Sequence, residues 1–325
     1  MFDISVVIVS FNTREVLREC LQSIERESDG LCLEVLIVDN NSRDGSIEMI
    51  EEEFPSVRLI KSEVNLGFGA ANNRAFEVAR GRYIVLLNSD AFLREDALRN
   101  AVQHMDQEPR VGLGGGRLVG RDFSLQPSAR MFPSIFTDVF VFTGFAAKYP
   151  KSRLFGHFDR TWADPMVPAE VDWVPGAFSI IRAEVLEQVG FFDPDFFLYS
   201  EEVDLCCRIK AAGYQVWYWP DIVVIHVGGE SSRQIKSLEM SSSGAQLIRW
   251  RMRSTLLYYR KHHGIFAWLA KWLELSLYRL SWWRNRFSSD PRRKQRCEQS
   301  RNLIVCMQQA WRETNGGRVS PPRPW

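Results

Sequence analysis

The sequence predicts an α/β fold: a mostly parallel central sheet flanked by helices, with a helical extension at the C-terminus. Three observations carry that prediction. Short apolar runs such as 4–9 and Tyr83–Leu87 lack the alternation of a half-exposed strand and suit strands buried on both faces. Amphipathic helical stripes lie between them, so strand and helix alternate at the spacing of βαβ units with right-handed crossovers. Each run also breaks into polar residues at its C-terminal end: Ser10/Asn12, Asp39/Asn41, Asn88/Asp90. Ligands of open α/β sheets bind outside the carboxyl ends of the strands, so these residues should converge on one edge.

Taken in order, residues 4–9 form the first expected strand. Apolar positions 16, 17, 20, 21 and 24 then mark a helix from Arg14 to Glu25, capped by Asn12 or Thr13. Leu33–Val38 is the second strand, and a helix after Asp44 puts Ile47, Ile50 and Phe54 on one face. Val57–Lys61 reads as a short strand. Gly67 to Asn73 lead into a helix ending near Arg80, ahead of the strand Tyr83–Leu87. Leu98, Val102 and Met105 mark another helix, and Val111–Val119 a strand whose glycines (112, 114, 115, 116) read as flexibility.

From about 121 to 170 the periodicity fades into a Phe-, Pro- and Arg-rich excursion, a candidate substrate lid. A strand over Val171–Ile181 is broken by Pro175-Gly176, and a short helix stops at Gly190. A helix opening at Glu201 stops at Gly213. Two strands, Gln215–Trp219 and Ile222–Val227, follow, the second carrying His226.

Composition narrows the class. The 325 residues allow one large or two modest domains of ordinary globular character. No signal-peptide pattern precedes the first strand, and the six cysteines show no CxxC. The expectation is a cytoplasmic protein with reduced thiols. The first strand ends in Ser-Phe-Asn-Thr rather than G-x-G-x-x-G, which excludes a dinucleotide-binding loop there. Charge is segregated: Arg249 to Arg301 hold 14 Lys/Arg against 3 Asp/Glu and five of the 11 Trp. The remainder of the chain is acidic, which argues against a nucleic-acid partner. Within the basic segment Ile265, Trp268, Leu269, Trp272, Leu273, Leu280 and Trp283 approximate one helical face. Lys271, Glu274 and Arg279 interrupt it too often for a membrane span, so the pattern suits a membrane surface or packing on the α/β unit.

Two clusters have chemistry to offer. A carboxylate at a strand end, such as Asp90, can hold a divalent cation and through it a diphosphate. Glu201, Glu202 and Asp204 fall in one helical first turn amid Phe196, Phe197 and Tyr199. The helix dipole favours their ionised forms and apolar walls oppose it, so one of them is a candidate general base. His226, just before Gly228-Gly229, is a candidate metal or phosphate ligand.

Seven motifs, in this order over about residues 4–235, resemble the inverting family-2 glycosyltransferases, and more closely the bacterial rhamnosyltransferase-like members. They are Val7-Ile-Val-Ser-Phe-Asn12, Val38-Asp-Asn-Asn-Ser42, Asn65-Leu-Gly-Phe-Gly-Ala-Ala-Asn-Asn73, Leu87-Asn-Ser-Asp90, Trp173-Val-Pro-Gly176, Glu201-Glu-Val-Asp-Leu205 and His226-Val-Gly-Gly-Glu-Ser231. The resemblance implies a GT-A fold, Rossmann-like, over 1–235. Its 1–120 half would bind the nucleotide and its 121–235 half would carry acceptor and catalysis, with 236–325 as a basic, Trp-rich helical region. It implies a nucleotide-sugar donor, dTDP-rhamnose as first choice, bound by Ser10, Asn12, Asp39, Asn41, Asn73, Asn88, Ser89 and Asp90. Asp90 and His226 would hold Mg2+ or Mn2+. Glu202, or failing it Glu201, would deprotonate the acceptor hydroxyl, and Trp173, Gly176 and Asp204 would line the sugar and acceptor pocket. The acceptor would be a glycan or polyprenyl-linked sugar in cell-surface polysaccharide synthesis, met on the cytoplasmic face of the membrane. Two departures stand out: the usual Asp-x-Asp is Asn88-Ser-Asp90, and the usual Glu-Asp is Glu201-Glu202. The first of these keeps open a rival reading, a catalytically degenerate nucleotide-sugar or glycan-binding scaffold.

Overall fold

A computed structural model describes residues 2–228 and 243–320. The first part of the chain builds β1 (Phe2–Ser10), α1 (Arg14–Glu27), β2 (Leu33–Asp39), α2 (Ser46–Glu53), β3 (Arg58–Lys61), α3 (Gly69–Phe76) and β4 (Gly81–Leu87). Their strands form a parallel block in the order β3-β2-β1-β4. The apolar runs are buried on both faces, as expected. Ile4, Val6 and Ile8 of β1 point into the core under α1, α2 and the later helix α4 (Ala97–Gln107), while Val7 joins a second core on the opposite face. In β4 the same division separates Tyr83, Val85 and Leu87 from Ile84 and Leu86. A charge at any of these positions would forfeit about 1.5–3 kcal/mol of apolar burial before its own desolvation is counted.

The second part is less regular. It comprises β5 (Ala91–Leu93), β6 (Val111–Val119), β7 (Leu125–Gln126), α5 (Ile135–Phe142), α6 (Phe145–Lys148), β8 (Ala169–Val171), β9 (Phe178–Arg182), α7 (Ala183–Val189), α8 (Glu201–Ala211) and β10 (Gln215–His226). The full sheet runs β3-β2-β1-β4-β9-β6-β10-β5, with β7 beside β6 and β8 beside β10. β9 enters antiparallel to both neighbours, β4 and β6. The expected strand over Val171–Ile181 is therefore two strands on different partners, because Pro175-Gly176 reroutes the chain. Conversely, the two expected strands after Gly213 are one long strand, irregular in register near Trp219. The β6 glycines are not a flexible run. A Cβ at Gly114 would collide with the Trp219 ring, and one at Gly115 would sit 2.7 Å from the Val174 Cβ, so neighbours fill both faces of the strand.

The C-terminal helices are α9 (Ser243–His263), α10 (Phe266–Asn285) and α11 (Pro291–Glu313). α9 packs on the α/β unit: Leu257, Tyr258 and Tyr259 join its second core, and the Trp250 ring lies 4.4 Å from that of Phe197. The three helices share a small core of their own around Met252, Leu275, Tyr278 and Met307. Of the two sequence alternatives for α10, burial of its Trp stripe as core does not hold. The Trp-bearing stripe, including Trp268, Trp272 and Trp283, is exposed, whereas Glu274, read as an interruption, is buried. Among the described residues, no helix is long and apolar enough to cross a membrane.

Candidate active site

Because β1, β2 and β4 run parallel, their carboxyl ends meet at one edge, where Ser10 and Asp39 are register partners. The loops leaving β1 and β2 are stitched together. The Asn12 N–H donates to Ser42 Oγ (2.9 Å), and Asn12 Oδ1 accepts from the Arg43 N–H (2.7 Å). Asn12 and Asn41 adopt left-handed backbone, φ 52° and 68°, which Asn tolerates better than most residues. Asp39 is wholly buried. Its Oδ1 accepts the Ser42 N–H (2.9 Å), while Oδ2 has no partner among the described residues. Burial pushes its pKa above the usual carboxylate range, against the hydrogen bonds from Ser42. A buried oxygen left unsatisfied costs about 1–3 kcal/mol, which a ligand N–H reaching it would relieve.

Beyond β4 the chain turns through Asn88, Ser89 and Asp90, the last two buried. His226, at the end of β10, lies opposite Ala91 of β5, and its Nε2 is 3.5 Å from Asp90 Oδ1. Gln126 fixes the imidazole from behind. Its Nε2 donates to the His226 carbonyl (2.7 Å), which leaves Oε1 to accept the Nδ1 proton (2.9 Å). In that tautomer the Nε2 lone pair faces the Asp90 carboxylate, and the Asn88 amide nitrogen sits 3.4 Å from the same imidazole nitrogen. Two lone-pair donors turned toward each other, with one oriented from its far side, suit a divalent cation. Among the described residues no group of three or more His, Cys, Asp or Glu could hold a metal. A pair of protein ligands is nonetheless enough for a cation that shares its shell with phosphates and water. The rest of the His226 motif, Gly229 to Ser231, lies outside the described residues.

Asn73 sits apart from this edge. Its amide donates to the Phe192 carbonyl (2.8 Å) and accepts the Phe192 N–H (3.0 Å), so both polar ends are occupied in clamping α3 to the segment ahead of α8.

That segment delivers the acids. Tyr199 and Ser200 are consecutive non-glycine residues at φ 73° and 70°, a strained approach of the kind that collects at functional sites. Glu201 is buried, and its Oε2 has no partner among the described residues. Burial first, and then the neighbouring Glu202 charge, push its pKa well up. Glu202 is also raised by burial, but it lines a cavity and its Oε1 accepts the Gly176 N–H at 3.2 Å. Gly176 has to be glycine: a Cβ there would lie 2.8 Å from the Phe68 ring and 3.0 Å from Glu202 Oε1. One residue on, the Ala177 carbonyl accepts the Asn88 N–H (3.1 Å). A two-residue bridge thus connects the Glu202 carboxylate to the strand end that carries Asp90.

The cavity measures about 460 Å³. Trp173 and Arg130 form one side, with the Arg130 guanidinium 4.9 Å from the Trp173 ring and held by Asp159 at 2.5 Å. Asp138 of α5, Arg251 and Thr255 of α9 and Glu274 of α10 form the other side. Asp204 is not among the lining residues. It is fully buried and bonded to Arg208 (2.9 Å), Lys261 (2.7 Å) and His262 (2.7 Å). Burial opposes its ionisation, but His262 and Lys261 outweigh that and hold its pKa at about 2. Sequence reading therefore found the acids and missed Gln126, Asp138, Arg251 and Glu274, which no short motif joins. The loss of lid periodicity was the one available signal for Asp138.

Comparison with known proteins follows the same outline. The profile of Glycosyl transferase family 2 matches residues 5–204, from β1 into the first turn of α8. The chain is 28% identical over 236 residues to the N-acetylglucosaminyl-diphospho-decaprenol L-rhamnosyltransferase of Mycobacterium tuberculosis, covering 68% of this chain and 75% of that one. It is 25% identical over 263 residues to the rhamnosyltransferase WbbL of Escherichia coli, covering 78% and 91%. Among solved structures, the mannosyltransferase PcManGT from Pyrobaculum calidifontis, in complex with GDP-Man and Mn2+, matches with TM-score 0.51 at 18% identity, covering 97% of this chain and 75% of that one. GalNAc-T7, solved with UDP, GalNAc and Mn2+, matches with TM-score 0.59 at 13% identity, covering 98% and 58%. At those identities the likeness is one of fold. The profile spans more than half the chain and includes the strand edge and both glutamates, so the protein belongs to glycosyl transferase family 2, with the GT-A fold and a C-terminal helical extension.

Proposed function

We propose that the protein is an inverting glycosyltransferase. It moves a sugar, rhamnose from dTDP-rhamnose as first choice, to a hydroxyl of a glycan or polyprenyl-linked acceptor in cell-surface polysaccharide synthesis. The observation that carries this reading is the bridge through Gly176 and Ala177. It holds Glu202, which opens on a cavity, at a fixed offset from the edge bearing Asp39 and Asp90. The rhamnosyl activity of the two relatives supports the choice of sugar.

In this mechanism Asp39 Oδ2 accepts a hydrogen bond from the donor's nucleoside, beside Ser10, Asn12 and Asn41. Asp90 and His226 would hold Mg2+ or Mn2+, and Asn88 and Ser89 would face the diphosphate. The cation, when bound, offsets the charge that builds on the departing nucleoside diphosphate. Trp173 and Gly176 border the sugar and acceptor. Glu202 takes the proton from the acceptor hydroxyl as that oxygen bonds the anomeric carbon from the face opposite the leaving diphosphate. The configuration inverts in one displacement, the logic of inverting glycoside hydrolysis with a sugar hydroxyl in place of water. Glu201, buried and held toward its protonated form, leaves Glu202 as the base. The partition at residue 235 becomes one of labour: donor and catalysis ahead of it, a wall of the acceptor cavity and a docking face behind it.

That face is the exposed row Phe266, Trp268, Trp272 and Trp283 among the basic residues of α10. It adjoins a cleft lined by Arg260, Arg318, Trp268 and Trp311. Interfacial aromatic rings with nearby cations suit an anionic membrane surface and a lipid-linked acceptor. The transferase reading is tested by donor turnover: purified protein with dTDP-rhamnose and Mn2+ should release dTDP, faster with acceptor present. A protein that neither binds nor consumes dTDP-, UDP- or GDP-sugars with either cation would end it.

A further inference from the structure

The cavity beyond Glu202 contains four charged groups that the mechanism leaves unused: Arg130, already paired with Asp159, and the trio Asp138, Arg251 and Glu274. Asp138 and Glu274 sit on helices 136 positions apart in sequence, yet both line the space into which Glu202 opens. Each carboxyl is held from behind by a phenol: Tyr259 Oη donates to Asp138 Oδ2 (2.6 Å), and Tyr278 Oη donates to Glu274 Oε1. One acceptor oxygen on each remains beyond its tyrosine. Arg251 stands between them electrostatically, favouring the ionised form of both. Its guanidinium has no hydrogen bond or ion pair to a described residue, although it has five donors to offer.

Resting on the transferase reading, we propose that Asp138, Arg251 and Glu274 form the wall that recognises the acceptor, and that its ligand is an uncharged, hydroxyl-bearing pyranoside ring. Charge and volume decide the class. One cation facing two carboxyls offers a mixed set of donors and acceptors, which matches sugar hydroxyls because each can donate and accept. A phosphate or uronate in the same place would meet three carboxyls, Glu202 among them, against Arg251 and an Arg130 already paired with Asp159. The volume, about 460 Å³, falls in the lower part of the small-molecule range and suits a sugar residue rather than a long oligosaccharide. These residues would therefore set which acceptor is chosen, whereas Glu202 sets whether it reacts.

The test is calorimetric titration of the full-length protein, with dTDP and Mn2+ present, using methyl glycosides of glucose, galactose, rhamnose and N-acetylglucosamine, and methyl glucuronide as the charged probe. At least one neutral glycoside should bind. Its affinity should fall about tenfold or more in Glu274→Gln, Asp138→Asn and Arg251→Met, as expected when a group that pairs with a ligand hydroxyl is removed. Tyr259→Phe removes the supporting phenol and keeps the Asp138 carboxyl, so it should bind the glycoside within about twofold of wild type. If Tyr259→Phe weakens binding as much as Asp138→Asn, the carboxyl is structural and the proposal fails. It also fails if no neutral glycoside binds, if the three substitutions leave affinity unchanged, or if the glucuronide binds best. A separate titration of wild type with dTDP and UDP reports on the donor site, so loss of the transferase reading appears there and not in the glycoside series.

Discussion

The two sides of the active site are built by opposite means. The proposed donor edge comes mainly from the ends of β1, β2 and β4 with their loops, within the first 90 residues, is held mostly by ladder bonds and backbone–side-chain bonds, and takes only His226 and its partner Gln126 from further along the chain. The proposed acceptor cavity is walled by side chains of α5, α8, α9, α10 and the loops between, brought together from residues 130 to 274. A backbone-built edge keeps its shape whatever the surface residues do, so it suits the part of the substrate that is common to many reactions. A wall of side chains changes with single substitutions, so it suits the part that varies.

The comparison can be broken at several points. Glu202→Gln should leave donor binding intact while transfer falls roughly a hundred- to ten-thousandfold, the usual worth of a positioned base. Equal transfer rates in single-turnover assays would remove Glu202 from that role and leave Glu201 as the candidate. Asp90→Ala acts on the other side. Turnover should drop on the order of a hundredfold or more, several kcal/mol of charge stabilisation, and Mn2+ titration should lose its effect. Near-normal metal-dependent rates in that variant would refute the Asp90–His226 site.

Asp204→Asn separates scaffold from chemistry. It leaves Lys261, His262 and Arg208 without their shared buried carboxylate, so thermal unfolding should register a loss of about 3 kcal/mol. Affinity for the glycoside probes should stay near wild type, because Asp204 does not line the cavity. Its pKa, about 2 when folded against about 3.9 unfolded, also fixes a sign. The carboxylate's stabilisation is present above pH ~4 and is lost as pH falls toward ~2. In Asp204→Asn that part of the acid-unfolding curve should flatten, and an unchanged curve would contradict the ion-pair assignment.

The pH dependence of catalysis should show the reverse displacement. Burial raises Glu202, so kcat/KM should decline on acidification from above the ordinary glutamate value of about 4.3. An acid limb at or below that value would contradict a buried Glu202 as the base. The smallest effect belongs to the docking face. Trp268→Ala with Trp272→Ala should weaken binding to anionic vesicles severalfold and spare turnover of a water-soluble acceptor. Equal flotation of variant and wild type would discard the membrane role.

Much of the donor edge was legible because strand ends and their turns are local events. Asp39 and Asp90 each follow their own apolar run, and parallel topology does the rest. The paired glutamates were legible for the same reason, lying within one turn of α8. What stayed hidden depends on side chains meeting across the fold. Nothing near Gln126 announces that it orients His226, 100 positions away. The family resemblance made Asn73 a ligand group, yet Phe192 claims both its ends. On α10 the aromatic stripe left a membrane-facing row and a core-facing one both open, and the inward positions are Ala267, Ala270, Glu274 and Tyr278. Hydropathy alone could not tell a membrane-facing row from a core-facing one.

The cluster around Asp204 has a consequence for engineering. Its carboxylate sits in the first turn of the helix that carries Glu202, while two of its partners, Lys261 and His262, belong to α9. Ser254 of α9 also donates to the Leu198 carbonyl (2.7 Å), just ahead of that turn. The tail is therefore not a detachable cassette. A chimera that grafts another family member's C-terminal helices onto this α/β unit must bring matching hydrogen-bond partners for Asp204, or the geometry of the proposed base is altered by a graft made almost 60 residues downstream of it.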